Sequence, residues 1–394
     1  MPSAIVAGGG VSGLAAAIGL VRAGWSVSVY ERAATVEPMG AALSLWPNAI
    51  AALDELGLGQ TAAAVGMPIS AMLLADQRGN AIIGPRPVPL GAVMITRTAL
   101  QHLLVEALDS ERLQLGRSIL AVEQSRAGVT VELADGACAS ADLLVDAGGI
   151  RSVVDVALAA RQATFSGYGG VLALSESVGG SLKGLAAEYW GWGERFGVFE
   201  LPQQRRYWFY MRDQSATCAT PTHEQVTARA AGWPSSITEA IAATSPERLV
   251  PFVIHAKRAP DRMGNGRVIS IGDAAHAMEP NLGQGACQGL EDAVALMTVA
   301  SLEPAAMLAA FEALRLKRVR MVVRRSAEGR HGAHGPRLMQ MLARTVLRAM
   351  PASINERVIR AAQTMPDYAD AARHALQSPR SPPAAFKLPE EQLE

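Results

Sequence analysis

Three glycines near the N-terminus, Gly8, Gly10 and Gly13, stand in G-x-G-x-x-G spacing, and Glu31 follows at about the 20-residue interval expected of an acid that meets a ribose hydroxyl. Gly8 permits a tight turn, Gly10 lets a pyrophosphate approach the backbone, and Gly13 lets a helix pack closely on a strand. The helix that follows would aim its unpaired N–H groups at the phosphates. Singly, these residues read as turn glycines and a surface glutamate; together in one frame they specify a dinucleotide site. A second glycine-rich block, "RVISIGDAAHAMEPNLGQG", lies far downstream. Candidates for a general base are His223, His255, His276 and the tyrosines near the middle of the chain. A lone histidine is more often a satisfied structural residue, and none is assigned. Cys138, Cys218 and Cys287 form neither a CxxC pair nor a metal-ligand spacing, so they read as free thiols of a reducing compartment.

The elements that must position these groups follow from periodicity. Residues 4–7 are a short apolar run, "LAAAIGLVRAG" repeats its apolar positions at helical spacing, and "SVSVYE" alternates like a strand. Strand, glycine turn, helix and strand make a βαβ unit. Helical patterns recur in "NAIAALDELG" and "TALQHLLVEAL", and 143–145 read as a buried strand after a hairpin at Asp135-Gly136. From about Phe165 the aromatic-rich runs broken by short turns predict antiparallel sheet, with Trp208 and Tyr210 on one face and Phe209 on the other. The buried-strand style returns at "RVISIG", and the chain is helical after Pro304. One α/β domain interrupted by a β-rich insertion is the simplest account.

The downstream block resembles the second flavin-contacting motif of the FAD-dependent aromatic hydroxylases, the para-hydroxybenzoate hydroxylase-like, single-component class A flavoprotein monooxygenases. By that resemblance, Gly272 and Asp273 are the pair whose carboxylate meets flavin ribityl or ribose hydroxyls. Pro280, Gly283, Gln284 and Gly285 are the turn against the isoalloxazine. "GAALSLWPNAIAALDELGL" and "MITRTALQHLLVEAL" resemble the same family, placing Gly40 and Ala41 near the flavin and Arg97 at its ribityl-phosphate region; a helix-start arginine is the alternative for Arg97. Glu31 and its neighbour Arg32 complete the cofactor set. The resemblance spans roughly residues 4–320. It implies an α/β fold with a Rossmann-type FAD-binding domain (1–70, 97–165 and 260–330), an inserted antiparallel β-sheet substrate domain (71–96 and 166–259), and C-terminal helices and tail (331–394).

The activity implied is monooxygenation: FAD reduced by NADH or NADPH reacts with O2 to a flavin C4a-hydroperoxide, which hydroxylates a small, phenolic substrate. The alternatives are a related oxidoreductase or epoxidase acting on a non-aromatic substrate, and an FAD-binding protein impaired in direct NAD(P)H reduction. The last rests on "DAGGIRSVVD", where the family usually has Gly-Ala-Asp-Gly. Here Asp146 stands at the glycine, Gly148 at the acid and Asp155 at a later arginine. Two residues along a strand keep the acid on the same face, about 7 Å away, so Asp146 is a candidate substitute. A Trp-x-Trp at Trp190 and Trp192 lacks the Ile-Pro that would complete a halogenase signature.

Acidic and basic residues balance at 36 each, which gives no reason to expect a nucleic-acid partner. The arginine-rich stretch after Pro304 reads as a solvated helix face. No apolar run reaches the length of a membrane helix, no metal is implied, the cytoplasm is the expected compartment, and a homodimer is the assembly to be tested.

Overall fold

The computed structural model describes residues 1–36, 42–88, 91–154 and 162–377. Its first layer is a six-stranded sheet in the order Gly264–Asn265, Val268–Ser270, Leu143–Asp146, Ser3–Ala7, Ser26–Glu31, Leu113–Leu115, parallel except at the Gly264–Asn265 edge. Alternation decides what each face meets. Ala4, Val6, Val27, Val29, Leu143 and Val145 pack against the helices Val11–Arg22 and Gly285–Val299. Ile5, Ala7, Tyr30 and Leu144 face a three-stranded antiparallel sheet (Ile119–Gln124, Val129–Leu133, Cys138–Ala141). With both faces covered, the central strands are apolar over 4–7 and 143–145, as a parallel sheet requires, and turn polar at Asp146 where the chain reaches the glycine turn.

The second layer system is a seven-stranded sheet in the order Val250–Ala256, Thr164–Leu174, Arg206–Asp213, Glu194–Glu200, Leu185–Trp190, Ala71–Asp76, Ala81–Pro87. One of its faces is closed by the helices His223–Ala230 and Ser235–Ala242, against which Trp208 and Tyr210 pack. Trp208 Nε1 donates to Thr244 Oγ1, so the buried indole is satisfied. The opposite face carries Tyr207, Phe209 and Met211 toward the space between the two sheets. Val93–Thr96, at the end of the 71–96 stretch, does not join this sheet but pairs with Ala42–Leu45 and Met67–Pro68.

The Pro304–Glu328 helix departs from the solvated-face reading at two of its arginines. Arg315 is completely buried, with Nε donating to Asp292 Oδ1 at 2.7 Å and Nη1 to Glu291 Oε2 at 2.6 Å. Arg318 donates to both Glu291 oxygens at 2.6 Å. The cause lies on the facing Gly285–Val299 helix, which buries two adjacent carboxylates. Burial is the largest single effect and pushes both carboxyls up, but Arg315 acting together with Arg318 and Tyr368 at Glu291, and with His276 and the Gly272 N–H at Asp292, outweighs it; both are held below the ordinary carboxylate range. Lowered native pKa values contribute stability that is fully present above the ordinary carboxylate range and is lost as pH falls through the lowered ones. Arg315→Met leaves Glu291 with Arg318 and Tyr368 but takes from buried Asp292 its arginine partner, leaving it His276 and the Gly272 N–H, so it should destabilise the fold by about 3 kcal/mol and move acid unfolding to higher pH. Urea titration at neutral pH and an acid-unfolding curve check both; an unchanged acid midpoint would count against the network.

No described helix is long and apolar enough to cross a membrane.

Candidate functional site

Both glycine blocks converge on one cavity of about 1360 Å³ between the two large sheets. The turn 8–10 links Ser3–Ala7 to the Val11–Arg22 helix. Gly8 has φ +112°, and a Cβ there would lie 2.5 Å from the Ala147 carbonyl oxygen. A Cβ on Gly13 would lie 2.0 Å from the Gly8 carbonyl oxygen, which is the close helix-to-turn approach that only glycine allows. Gly10, by contrast, meets nothing within 4 Å and lines the cavity. The helix it starts has no side-chain cap and no acid in its first turn, so its N–H groups open into that space. Glu31 ends its strand at the same mouth, Oε2 accepting from Gly9 N at 2.6 Å and Oε1 from Ala33 N at 2.8 Å. Arg32 lines the wall beside it.

The second block supplies the facing wall. Gly272 has φ +55° and packs on Ser12, while the exposed Asp273 turns into the cavity. Pro280, Gly283 and Gly285 line it as well, and the Gly285–Val299 helix opens there with neither a side-chain cap nor a first-turn acid. Gln284 does not face the cavity. Its side chain is buried and exchanges hydrogen bonds with Asn48 at 2.9 and 3.3 Å. Arg97 sits exposed at the rim, at the start of the Arg97–Ala107 helix. Gly40 and Ala41 lie outside the described residues. His276 is structural: fully buried, its Nε2 lies 2.6 Å from Asp292 Oδ2.

At the rearranged turn the displaced acid still acts on the position it left. Asp146 is buried, and Oδ1 accepts from Ser152 Oγ at 2.6 Å and from Gly148 N at 3.1 Å. That oxygen lies 3.3 Å from where a Cβ on residue 148 would stand. The carboxylate thereby fixes the turn that presents Gly149, with φ +75°, to the cavity. Asp155 lies outside the described residues.

Sequence reasoning did not single out a buried cation in the cavity wall. Arg195 is 2% exposed and touches the Tyr168 and Phe209 rings at 5.8 and 5.7 Å. Its Nη1 donates to Glu188 at 2.9 Å and its Nη2 to Asn281 Oδ1 at 2.7 Å, while Nε, and Nη2 a second time, meet the Met211 sulfur. Asn281 belongs to the 280–285 turn, so the arginine is braced against the glycine block itself. Strand alternation could have found its neighbours: once Trp208 and Tyr210 pack on the helices, Tyr207, Phe209 and Met211 must face the other way. Burial pushes the Tyr207 phenol up, with Arg97 and Arg195 partly offsetting it, so the hydroxyl stays protonated at neutral pH. Phe199, Phe209 and Trp190 supply an apolar wall.

Two uncapped helix ends, an open glycine turn, the carboxylates of Glu31 and Asp273 and an apolar aromatic wall, all on one cavity, are the features of a dinucleotide-binding flavoprotein. Residues 2–326 match the FAD binding domain family, and the chain belongs to the FAD-dependent aromatic hydroxylases. It is 34% identical over 335 residues to an aurachin C monooxygenase/isomerase of Stigmatella aurantiaca, covering 80% of this chain and 85% of that protein. It is 31% identical over 361 residues to an FAD-dependent urate hydroxylase of Klebsiella pneumoniae, covering 84% and 90%. The crystal structure of Klebsiella pneumoniae HpxO with FAD and uric acid superposes with a TM-score of 0.83 at 28% identity, covering 94% of this chain and 97% of that one.

Proposed function

We propose that this FAD-dependent monooxygenase uses NADH or NADPH and O2 to hydroxylate a small aromatic ring held between the 280–285 turn and the Tyr207/Phe209 wall. The observation that carries the reading is Arg195: a buried guanidinium on the wall of an aromatic chamber, two of whose N–H groups meet only a weakly accepting Met211 sulfur, tied through Asn281 to the turn proposed to carry the flavin. FAD, when bound, supplies the hydride acceptance and oxygen activation. The residues present fit it. Gly10 and the helix start behind it would take the pyrophosphate, with Gly8 and Gly13 shaping the turn; Glu31 and Asp273 would take hydroxyls, and Arg97 the ribityl-phosphate region. The start of the Gly285–Val299 helix favours negative charge at the ring end. Arg195 would bind and orient a substrate oxygen, preferring its ionised form; Tyr207, which stays protonated, can donate a hydrogen bond to the same oxygen. The apolar wall keeps water away from the reacting carbon. A reducing cytoplasm suits the free thiols.

Anaerobic stopped-flow absorbance of the FAD-loaded protein tests this, mixing it with NADH or NADPH with and without a panel of hydroxylated aromatics, followed by product analysis under labelled O2. Flavin bleaching accelerated by one ligand, and labelled oxygen in its product, are the expected results. If neither donor bleaches a flavin that dithionite still reduces, direct nicotinamide reduction is wrong for this chain.

A further inference from the structure

The C-terminal helices carry their amphipathicity the wrong way round. In the Arg337–Ala349 helix, the buried residues are Gln340 and Arg344, whereas Leu338, Met341, Leu342 and Val346 are 50–63% exposed. The polar pair is held inward by carbonyls: Gln340 donates to Gly335 and Arg344 to Gly332 and Gly191. In the Ala352–Gln363 helix, Asn355 and the small Ala362 are buried while the larger Ile354 and Val358 are 50% and 39% exposed. A helix normally turns its apolar stripe to the core, so two adjacent helices doing the reverse mark a surface with an occupant.

The position of the stripes says which occupant. Val346 and Val358 are both exposed and both line the cavity that holds Arg195. Inward from them, Leu347 packs with Leu74, Ile83 and Trp190 on the substrate sheet. Outward, Leu338, Leu342 and Val346 follow one another at i, i+4, i+8, and Ile354 precedes Val358 by one turn. The apolar side chains therefore lead from the aromatic chamber, past Asn355 and Arg325 on the cavity wall, to the surface, about 12 Å along the first helix. The two helices rest on different supports, the first on the Ala81–Pro87 strand and the second on the Pro47–Glu55 helix, which leaves the cleft between them open to the cavity.

We propose that the substrate carries an aliphatic chain, and that this chain leaves the chamber between the two C-terminal helices while the ring stays beside Arg195. The proposal rests on the hydroxylase reading for the ring and on the cleft alone for the tail. A compact polar ring would leave the Leu338-to-Val346 stripe without a use; a chain covers it and draws affinity from it. Each methylene laid in an open cleft, covered on about one side, should tighten binding roughly twofold.

The test is a para-alkylphenol series, methyl to heptyl, titrated into oxidised FAD-loaded full-length protein and read from the flavin absorbance. The expected result is a steady gain reaching roughly 50-fold at heptyl. Leu342→Glu with Ile354→Glu should flatten the upper part of the series, and because both side chains are half exposed, FAD content and melting temperature should stay as in the parent protein. A flat series, or no perturbation of the flavin by any alkyl member, overturns the tail site. So does sedimentation showing that the parent is a dimer which the double variant dissociates, since a second copy would then cover the stripe. Product analysis under O2 and NAD(P)H separates the two claims. Hydroxylation with a flat series removes the tail and keeps the hydroxylase; a steep series without hydroxylation does the opposite.

Discussion

Gly10→Val should leave the protein folded and nearly FAD-free, while Gly13→Val should unfold the region that binds it. The two glycines are three residues apart in one motif, and their surroundings make the difference. A Cβ on Gly10 meets no atom within 4 Å, and its backbone, at φ −77° and ψ −179°, is extended, which valine accepts. The cost to the empty fold is a weaker N-cap, about 1 kcal/mol or less. The added methyls occupy the space in front of the uncapped helix, where a pyrophosphate would lie, so FAD affinity should fall by about 100-fold or more, equivalent to ~3 kcal/mol. At Gly13 the Cβ would stand 2.0 Å from the Gly8 carbonyl oxygen. Helix and turn must separate, at about 3 kcal/mol or more. Thermal unfolding of the FAD-stripped proteins and FAD titration by flavin fluorescence quenching distinguish the pair. A Gly10→Val protein that binds FAD like its parent would remove the pyrophosphate from this turn.

That contrast also marks what could be read from the sequence. Local rules placed the βαβ unit, the hairpin at Asp135-Gly136 and the facing of Trp208 and Tyr210, because strand alternation and turn glycines act within a few residues of themselves. The glycine blocks were legible for the same reason: each is a short segment whose backbone does the work. Arg195 was not, since nothing in "WGERFG" distinguishes a surface arginine from one whose partners, Glu188, Asn281 and Met211, come from three other segments. Arg315 was misread on the same ground. Its helix looks like a solvated basic face until Glu291 and Asp292, on another helix, are packed against it. Gln284 shows the converse, a motif residue whose side chain serves Asn48 instead of the cavity. The Asp146 exchange was half legible: strand geometry put the acid on the right face, but only the fold shows its oxygen bonding Ser152 beside the vacated position. Side-chain destinations set by distant segments are what a linear pattern does not carry.

Arg195→Met is the sharper probe of the chemistry. The variant keeps the buried stem and removes the fork, leaving Glu188 still accepting from Trp190 Nε1 at 2.6 Å and Asn281 still donating to Glu279 and Ser326. The chamber should therefore survive, and the FAD turn with it. What disappears is the charge-assisted donor set that would hold a substrate oxygen, worth roughly 3 kcal/mol in a desolvated site, or about 100-fold in kcat/KM for substrate-stimulated NAD(P)H oxidation. Arg195→Lys retains the charge without the planar fork and should fall between the two, because the three donors of an ammonium radiate from one atom and do not span Glu188, Asn281 and the cavity as the spread guanidinium does. FAD content and the rate of reduction by dithionite serve as controls that a merely structural arginine would move. If Arg195→Met oxidises NAD(P)H as the parent does with every ring tested, the substrate oxygen lies elsewhere in the chamber and Tyr207 becomes the group to remove. If FAD is lost along with turnover, the arginine acts as a brace for the 280–285 turn, and the substrate-binding role assigned to it here is wrong.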